Sequence, residues 1–131
     1  MSISPKISSF KDQTGAAAVE FALIASVLFV LVFGIIEFGR IFNELEVMNS
    51  AAREGARAAA VRGTFSDIET ATADAASPYD LDETPTANIV CDDTTSGEPV
   101  TVSWDQQFEI SVGLLPDFNQ ALEIKGTFRC E

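Results

Sequence analysis

The 131-residue sequence contains no histidine and only two cysteines, Cys91 and Cys130. These absences exclude a zinc site with histidine ligands, a covalent haem-attachment motif and any catalytic triad that depends on histidine. The sequence also has no glycine-rich phosphate loop, no HExxH motif and no nucleophile elbow. Catalysis therefore has little support in the residues, and we predict no catalytic residue and no cofactor. A hydrolase with paired carboxylates stays open at this point, although nothing in the sequence selects a pair.

Basic residues are scarce in the second half of the chain. Residues 1–62 carry six acidic and six basic side chains, whereas residues 63–131 carry fourteen acidic side chains against Lys125 and Arg129. The whole net charge of −12 therefore belongs to the second half. Such a surface repels nucleic acid, so we expect no nucleic-acid partner. It is typical of a solvated head region.

Two short acidic stretches in predicted loops are the only candidate ligands for a cation. They contain five carboxylates: Asp80, Asp82, Glu83, Asp92 and Asp93. Neither stretch follows the EF-hand pattern, with its central glycine and terminal glutamate. We therefore predict no metal site, and solvated loops are the preferred interpretation.

One long run of the chain is nearly free of charge. Between Ala16 and Ile36 the only charged residue is Glu20. A run of this length crosses a bilayer core, which needs roughly 20 residues at about 1.5 Å per residue. A carboxylate costs about 2.5–3.5 kcal/mol at the bilayer centre, so Glu20 is expected to have a cationic partner. Cleavage after Gly15 would create one, the new α-amino group of Ala16.

Three interpretations of this N-terminal region are open. A cleaved secretory signal needs a small-x-small site after the apolar core, but GIIEFGRIF follows here. A plain signal anchor explains the hydropathy but neither Glu20 nor Gly15. A type IV prepilin-like leader explains both, because residues 1–15 form a polar tail that stays cytoplasmic and the glutamate is the fifth residue after the glycine.

Two sequence features point to opposite orientations of the span. Four arginines follow the apolar run and two lysines precede it, which by the positive-inside rule disfavours export of the C-terminal part. The two cysteines and the acidic, loop-rich second half instead favour an oxidising compartment. We expect export of the head.

The helical pattern continues beyond the apolar run. Apolar residues recur at helical spacing at six positions: Ile41, Leu45, Met48, Ala52, Ala56 and Ala59. Arg62-Gly63 is typical of a helix end, with Gly63 as the C-cap. We predict one helix over residues 16–62, about 70 Å long, of which about 16–38 crosses the membrane.

Small residues occur on both halves of this helix. Ala18, Ala22 and Ser26 recur every fourth position in the inner half and predict a face where another helix packs closely. The alanine-rich face of residues 51–60 fits two arrangements equally well. It packs either under the chain's own head or against a neighbouring subunit.

Residues 63–131 predict a small head, which makes the whole chain an α+β fold. Phe65–Ala76 is predicted as a short helix that Ser77-Pro78 ends. Four stretches have the composition or alternation of strands: Asn88–Cys91, Pro99–Trp104, Phe108–Val112 and Leu122–Cys130. With turns at Asp92–Pro99 and Leu115–Gln120, they predict an antiparallel sheet of three or four strands laid against the outer half of the helix.

The two cysteines fall on the first and last predicted strands. A disulfide between Cys91 and Cys130 would close about 40 residues and contribute about 4 kcal/mol in the chain-entropy description. Small domains with a thin core often need such a crosslink. The alternative is a pair of free buried thiols.

The stretch from Gly15 to Gly63 resembles the signature region of TadE-like proteins, the minor pilins or pseudopilins of the tight-adherence (Flp) pilus system. Three motifs carry the resemblance: GAAAVEFAL, GIIEFGR and NSAAREGARAAAVRG. The resemblance implies that Gly15 is the last leader residue and Ala16 the first mature one. It also implies that Glu20 pairs with the α-amine of its own or a neighbouring subunit, and that Phe21 is the adjoining motif position.

The resemblance further implies a structural protein that is not an enzyme and has several expected partners. These are a prepilin peptidase, the major Flp-type pilin and other minor pilins, the inner-membrane assembly platform and membrane lipid. The expected location is the bacterial inner membrane, crossed once, with the C-terminal head in the periplasm or outside the cell and possible entry into the pilus. The alternative is a bitopic membrane protein whose acidic head binds a ligand and never enters a filament.

Overall fold

The computed structural model describes residues 10–111 and 116–131 as an α+β fold, in which a small sheet packs against one long helix. Five elements follow one another along the chain: α1 (Phe10–Ala60), α2 (Phe65–Ala76), β1 (Thr86–Ala87), β2 (Pro99–Ile110) and β3 (Phe118–Arg129). The predicted fold class is confirmed, as is the combination of a long N-terminal helix with an antiparallel sheet.

Helix α1 is continuous over 51 residues. This length corresponds to about 76 Å at 1.5 Å per residue. It begins at Phe10, six residues before the predicted start at Ala16, because no proline interrupts the backbone between these positions. The polar segment before Gly15 therefore joins the apolar run without a break in the helix.

Helix α1 ends at Ala60, two residues before the predicted end at residue 62. Arg62, not Gly63, adopts the left-handed conformation, with φ 65°. The amide of Arg62 donates to the carbonyl of Ala59 (3.2 Å) and the amide of Gly63 to that of Ala58 (3.0 Å), which is the Schellman arrangement. Gly63 is needed for space instead, because a Cβ there would lie 2.5 Å from the Ala58 oxygen.

Helix α2 has the predicted bounds, and a capping box fixes its start. The Thr64 hydroxyl accepts a hydrogen bond from the Asp67 amide (3.3 Å), and the Asp67 carboxylate accepts one from the Thr64 amide (2.8 Å). This exchange satisfies two amides that have no partner inside the helix. Gly55 of α1 lets α2 approach closely, since a Cβ at Gly55 would collide with the hydroxyl of Thr72.

The sheet is antiparallel, with the order β1-β2-β3. The first predicted strand, Asn88–Cys91, is wrong: the strand is Thr86–Ala87. The Asn88 side chain accepts from the Thr101 amide (2.7 Å) and thereby replaces the backbone partner that would continue the ladder.

The two longer strands also exceed their predicted bounds. Strand β2 runs unbroken from Pro99 to Ile110, where the sequence suggested two strands, because Gln106 keeps the inward alternation with its side chain buried. Strand β3 starts at Phe118, inside the predicted turn, since the hairpin register pairs Phe118 with Ile110. Val112 and Leu115, which the predicted strand and turn included, lie outside the described residues.

The core lies between the inner faces of β2 and β3 and the outer half of α1. Ala51, Ala52 and Ala56 are completely buried there, and Met48 and Phe108 are the largest fully buried side chains from the helix and from β2. The larger Trp104 of β2 also belongs to this core and is 4% exposed. Of the two arrangements open for the alanine-rich face, packing under the chain's own head is therefore the one observed.

A disulfide joins Cys91 to Cys130, with their Cα atoms 5.4 Å apart. It ties the end of the chain to the loop that follows β1, and both cysteines are buried. The amide of Cys130 also donates to the carbonyl of Glu98, and that of Glu131 to the carbonyl of Ala60. The predicted crosslink is present, and the alternative of free thiols is excluded for this structure.

Candidate membrane span and helix–head junction

The N-terminal half of α1 projects away from the head. Its most apolar stretch has none of its residues buried, and its length and composition are sufficient to cross a membrane. Large side chains such as Phe21, Leu23 and Ile35 are mostly exposed. A helix that is apolar on all sides and has no cover from its own chain needs lipid or other protein around it.

Gly15 and Ala16 lie inside this helix, with α1 continuing on both sides of the peptide bond that joins them. Both residues are exposed, and a Cβ built at Gly15 meets nothing within 4 Å. The space around the bond is thus open in the isolated chain. Leader cleavage at this bond stays a prediction.

Glu20 is exposed on the same stretch. Within the described part of the molecule, Glu20 forms no ion pair with another side chain. The ion pairs found there involve only residues from Glu37 onward in the sequence. Phe21, the adjoining motif position, is also exposed. The chain by itself therefore gives Glu20 no described cationic partner, which leaves the predicted amine pairing open.

The predicted helix-packing residues Ala18, Ala22 and Ser26 follow one another at one-turn intervals and are all exposed. The Ser26 hydroxyl donates to the carbonyl of Leu23 (2.8 Å), so its polar group is satisfied within the helix. A face of small side chains with no unpaired hydroxyl is suitable for a close helix–helix contact. Such a contact remains a prediction.

A charged cluster, which the sequence analysis missed, marks the point where α1 leaves the head. We call it the junction; it consists of Glu37, Arg40 and Glu44 on α1 together with the backbone of Glu109 and Ser111 at the end of β2. Arg40 forms ion pairs with Glu37 (2.7 Å) and Glu44 (3.6 Å). It also donates to the carbonyl of Glu109 (2.7 Å), while the Ser111 amide donates to the Glu37 carboxylate (3.2 Å).

The electrostatics of the junction follow from one guanidinium between two carboxylates. The hydrogen bond with Glu37 raises the pKa of Arg40 above its ordinary value, so Arg40 is always charged. Burial raises the pKa of Glu44, and the nearby Arg40 charge opposes that rise. Only 13% of the Glu44 side chain is exposed, so its charge is stabilised mainly by Arg40.

One feature of the sequence indicates the junction, namely the spacing of its three charged residues on α1. Glu37, Arg40 and Glu44 are spaced three and four residues apart, which places all three on one face of a helix. Nothing in that local spacing shows that the face meets the end of a strand about 70 residues later. The contact to Glu109 and Ser111 depends on the tertiary fold.

The acidic loops are held by local hydrogen bonds. The Asp92 carboxylate accepts hydrogen bonds from the Thr94 hydroxyl (2.7 Å) and from the backbone amides of Thr94 (2.8 Å) and Thr95 (3.0 Å). These bonds, the one from the Thr94 hydroxyl above all, lower the pKa of Asp92. Asp93 pairs with Arg62, and the Asp82 carboxylate accepts from the Gln107 amide. Among the described residues no group of three or more carboxylate or cysteine side chains is placed to hold a metal ion.

Residues 15–57 match the family model described as TadE-like protein. The match covers about a third of the chain and includes both the exposed half of α1 and the junction residues on the helix. It confirms the resemblance of this segment to the TadE-like family. No curated protein and no solved structure matches the chain.

Proposed function

We propose that the protein is a minor pilin or pseudopilin that acts in assembly of a Tad (Flp) type IV-like pilus. The observation that carries the proposal is the TadE-like match over residues 15–57, which falls on a helix whose inner half is uncovered by its own chain. In this proposal about residues 16–38 cross the inner membrane once, and residues 63–131 form a head in the periplasm. The protein is a structural component and not an enzyme.

The exposed half of α1 suits a protein that exchanges one apolar environment for another. In the membrane, lipid covers the large side chains of this half. In a filament, helices of neighbouring subunits take the place of the lipid, and the small residues Ala18, Ala22 and Ser26 allow a close approach. The same surface therefore serves storage in the membrane and packing in the pilus.

Cleavage after Gly15 by a prepilin peptidase would place a positive charge beside Glu20. The new α-amine belongs to Ala16, four residues before Glu20, and residues four apart share one face of a helix. A pair with this amine, or with that of a neighbouring subunit, offsets the cost of a carboxylate in an apolar environment, about 2.5–3.5 kcal/mol at a bilayer centre. Further proposed partners are the major Flp-type pilin, other minor pilins and the assembly platform.

The role of Glu20 is tested by a charge-neutral substitution. We expect Glu20→Gln to reduce surface pili and the amount of the protein in sheared pili, while the protein still accumulates in the membrane. Glu46→Gln is the matched control, because Glu46 is an exposed glutamate of the same helix outside the span. If Glu20→Gln supported as many pili as the wild type, the pairing role of Glu20 would be wrong.

A second candidate function is a membrane-anchored binding module that never enters a filament. It is favoured by the closed head, which completes its own core on α1 and carries its own disulfide. This alternative predicts that residues 1–15 stay attached. It also predicts that Glu20→Gln has no effect on pili.

A further inference from the structure

We infer that the head makes a second contact with the membrane, through the adjoining ends of β2 and β3 next to the junction, with Phe118 as the most exposed large apolar side chain of these two ends. We call these ends, residues 110–111 and 116–118, the hairpin end. The partner is the headgroup region of the lipid bilayer beside the span. The inference rests on the proposed insertion of α1 in the membrane. It goes beyond it by assigning a lipid-facing surface to the head.

The hydrogen bonds of the junction fix the depth of the hairpin end relative to the bilayer. The apolar run of α1 ends at Ile36, and about 20 residues from Ala16 fill a hydrocarbon core of about 30 Å. Glu37 and Arg40 follow within one turn and so lie at headgroup level. The Ser111 amide donates to Glu37 (3.2 Å) and Arg40 to the Glu109 carbonyl (2.7 Å), which holds the end of β2 at that same level.

Phe118 belongs to the same end of the hairpin. It pairs in register with Ile110, the last residue of β2, and stands on the inner face of the sheet. Farther along this face α1 covers the side chains, and Ile124 is only 2% exposed. At the hairpin end the cover stops: Phe118 is 59% exposed and its neighbour Leu122 is 40% exposed.

An exposed phenylalanine at this position gains by contact with lipid. Contact with lipid removes apolar surface of this side chain from water, which is favourable in proportion to the area covered. On α1, Phe38 and Phe42 are also exposed at this level, with their rings stacked 6.3 Å apart.

The charges at this end set the depth of the contact. Arg40 offsets one of the two negative charges of Glu37 and Glu44, which reduces the repulsion that the acidic head would otherwise exert on anionic lipid. Glu109 and Asp117 remain exposed beside the hairpin end. Because such carboxylates do not enter hydrocarbon, the contact is limited to the headgroup region.

Nitroxide labels on the full-length protein in phosphatidylcholine vesicles test the inference. The native cysteines form a disulfide, so a single substituted cysteine is labelled selectively. We compare Phe118→Cys with Phe128→Cys, because Phe128 stands on the same face of β3, is 44% exposed and lies at the other end of the strand. Leu28→Cys, in the middle of the apolar run, reports on the span itself.

The readout is the ratio of collision rates with oxygen, which is enriched in lipid, and with a water-soluble nickel complex. We expect the ratio at residue 118 to be several-fold higher than at residue 128, and highest at residue 28. Ser111→Cys is a second label site at the same end, exposed and nearly isosteric, and serves if Phe118→Cys fails to fold. Its ratio should also exceed that at residue 128.

Three results would overturn the inference. Equal ratios at residues 118 and 128, with residue 28 in lipid, would show a membrane-anchored head that stands clear of the bilayer. A ratio at residue 118 that rises only with protein density would identify a neighbouring copy as the cover. A low ratio at residue 28 would show that α1 does not cross the bilayer, which would contradict both the inference and the proposed function.

Discussion

The two halves of α1 belong to one unbroken helix but have opposite surfaces. In the inner half, large apolar side chains such as Phe21 and Leu31 are exposed on all sides. In the outer half, the buried apolar positions are mostly alanines, and Ala52 and Ala56 are completely buried under the head. The difference lies in the size and arrangement of the side chains, since both halves are rich in apolar residues.

This contrast shows how a helix is matched to two kinds of surroundings. A sheet that packs on a helix needs small residues where the backbones come close, and a Cβ at Gly126 of β3 would collide with the Ala52 carbonyl. Lipid chains adapt to any shape and need only an apolar surface of sufficient length. The junction, centred on Arg40, separates the two regimes within about one turn.

We expect the largest effect from removal of the disulfide, which should destabilise the head on the outer half of α1 and leave the inner half unchanged. We expect the double variant Cys91→Ser, Cys130→Ser to lower the free energy of unfolding of the head by about 4 kcal/mol, because the crosslink closes a loop of 39 residues. Denaturant titration followed by the fluorescence of Trp104, which is buried in the head, measures this loss. The helical circular dichroism of the inner half should remain.

Reduction provides the control for this variant. A reductant should destabilise the wild-type head to the level of the double variant and leave the variant itself unchanged. Equal stability of wild type and variant would show that the head does not depend on its crosslink.

The close contact of sheet and helix predicts the next largest effect. Gly126→Val should lower the stability of the head by roughly 3 kcal/mol, since its side chain must displace the backbone of α1 at Ala52. Trp104 fluorescence again reports unfolding. The same change in the inner half, Gly34→Val, meets no atom within 4 Å and should leave head stability within about 0.5 kcal/mol.

These paired glycine variants sharpen the comparison between the halves. A large loss from both would mean that the inner half also supports the fold of the head. A small loss from Gly126→Val would contradict the close packing of β3 on Ala52.

Acid should weaken the head by a smaller amount. Hydrogen bonds from Thr64 lower the pKa of Asp67, and those from Thr94 and Thr95 lower the pKa of Asp92, so the folded state favours both charged forms. Their stabilisation is present above the ordinary aspartate range, near pH 4, and is lost as the pH falls through the lowered values. Thermal unfolding across this pH range measures the loss.

Neutral variants isolate the two groups. Asp67→Asn and Asp92→Asn should be less stable than the wild type at neutral pH and should lose less on acidification. Asp74→Asn, on the exposed side of α2, is the matched control and should follow the wild type. A wild-type acid dependence in all three variants would assign the loss to other carboxylates.

Sequence patterns predicted the elements that depend on local spacing. The length of the apolar run and the periodicity beyond it gave α1, and the stop at Ser77-Pro78 gave the bounds of α2. The disulfide between Cys91 and Cys130 was predicted from their positions on the first and last predicted strands, and it is present. In the structure, however, Cys91 lies in the loop after β1 and Cys130 just beyond β3. The two helices need no knowledge of distant contacts.

The misses depend on contacts between distant residues. Gln106 reads as a break between strands, yet it lies buried in the sheet and receives a hydrogen bond from Trp104 (3.1 Å) while donating to the Asp80 carbonyl (3.2 Å). Asn88 reads as part of a strand but ends one by capping the Thr101 amide. Arg40 reaches the end of β2, a contact that only the assembled head creates.

The central claim, that the inner half of α1 is a pilin-type segment released from a leader, is tested most directly by the mass of the protein purified from its native membrane. The account predicts that residues 1–15 are lost when the prepilin peptidase gene is present and retained when it is deleted. Gly15→Leu should block the loss, whereas Gly34→Leu should not, since both positions are open to a larger side chain. A full-length chain in the presence of the peptidase would contradict the account and leave an anchored head.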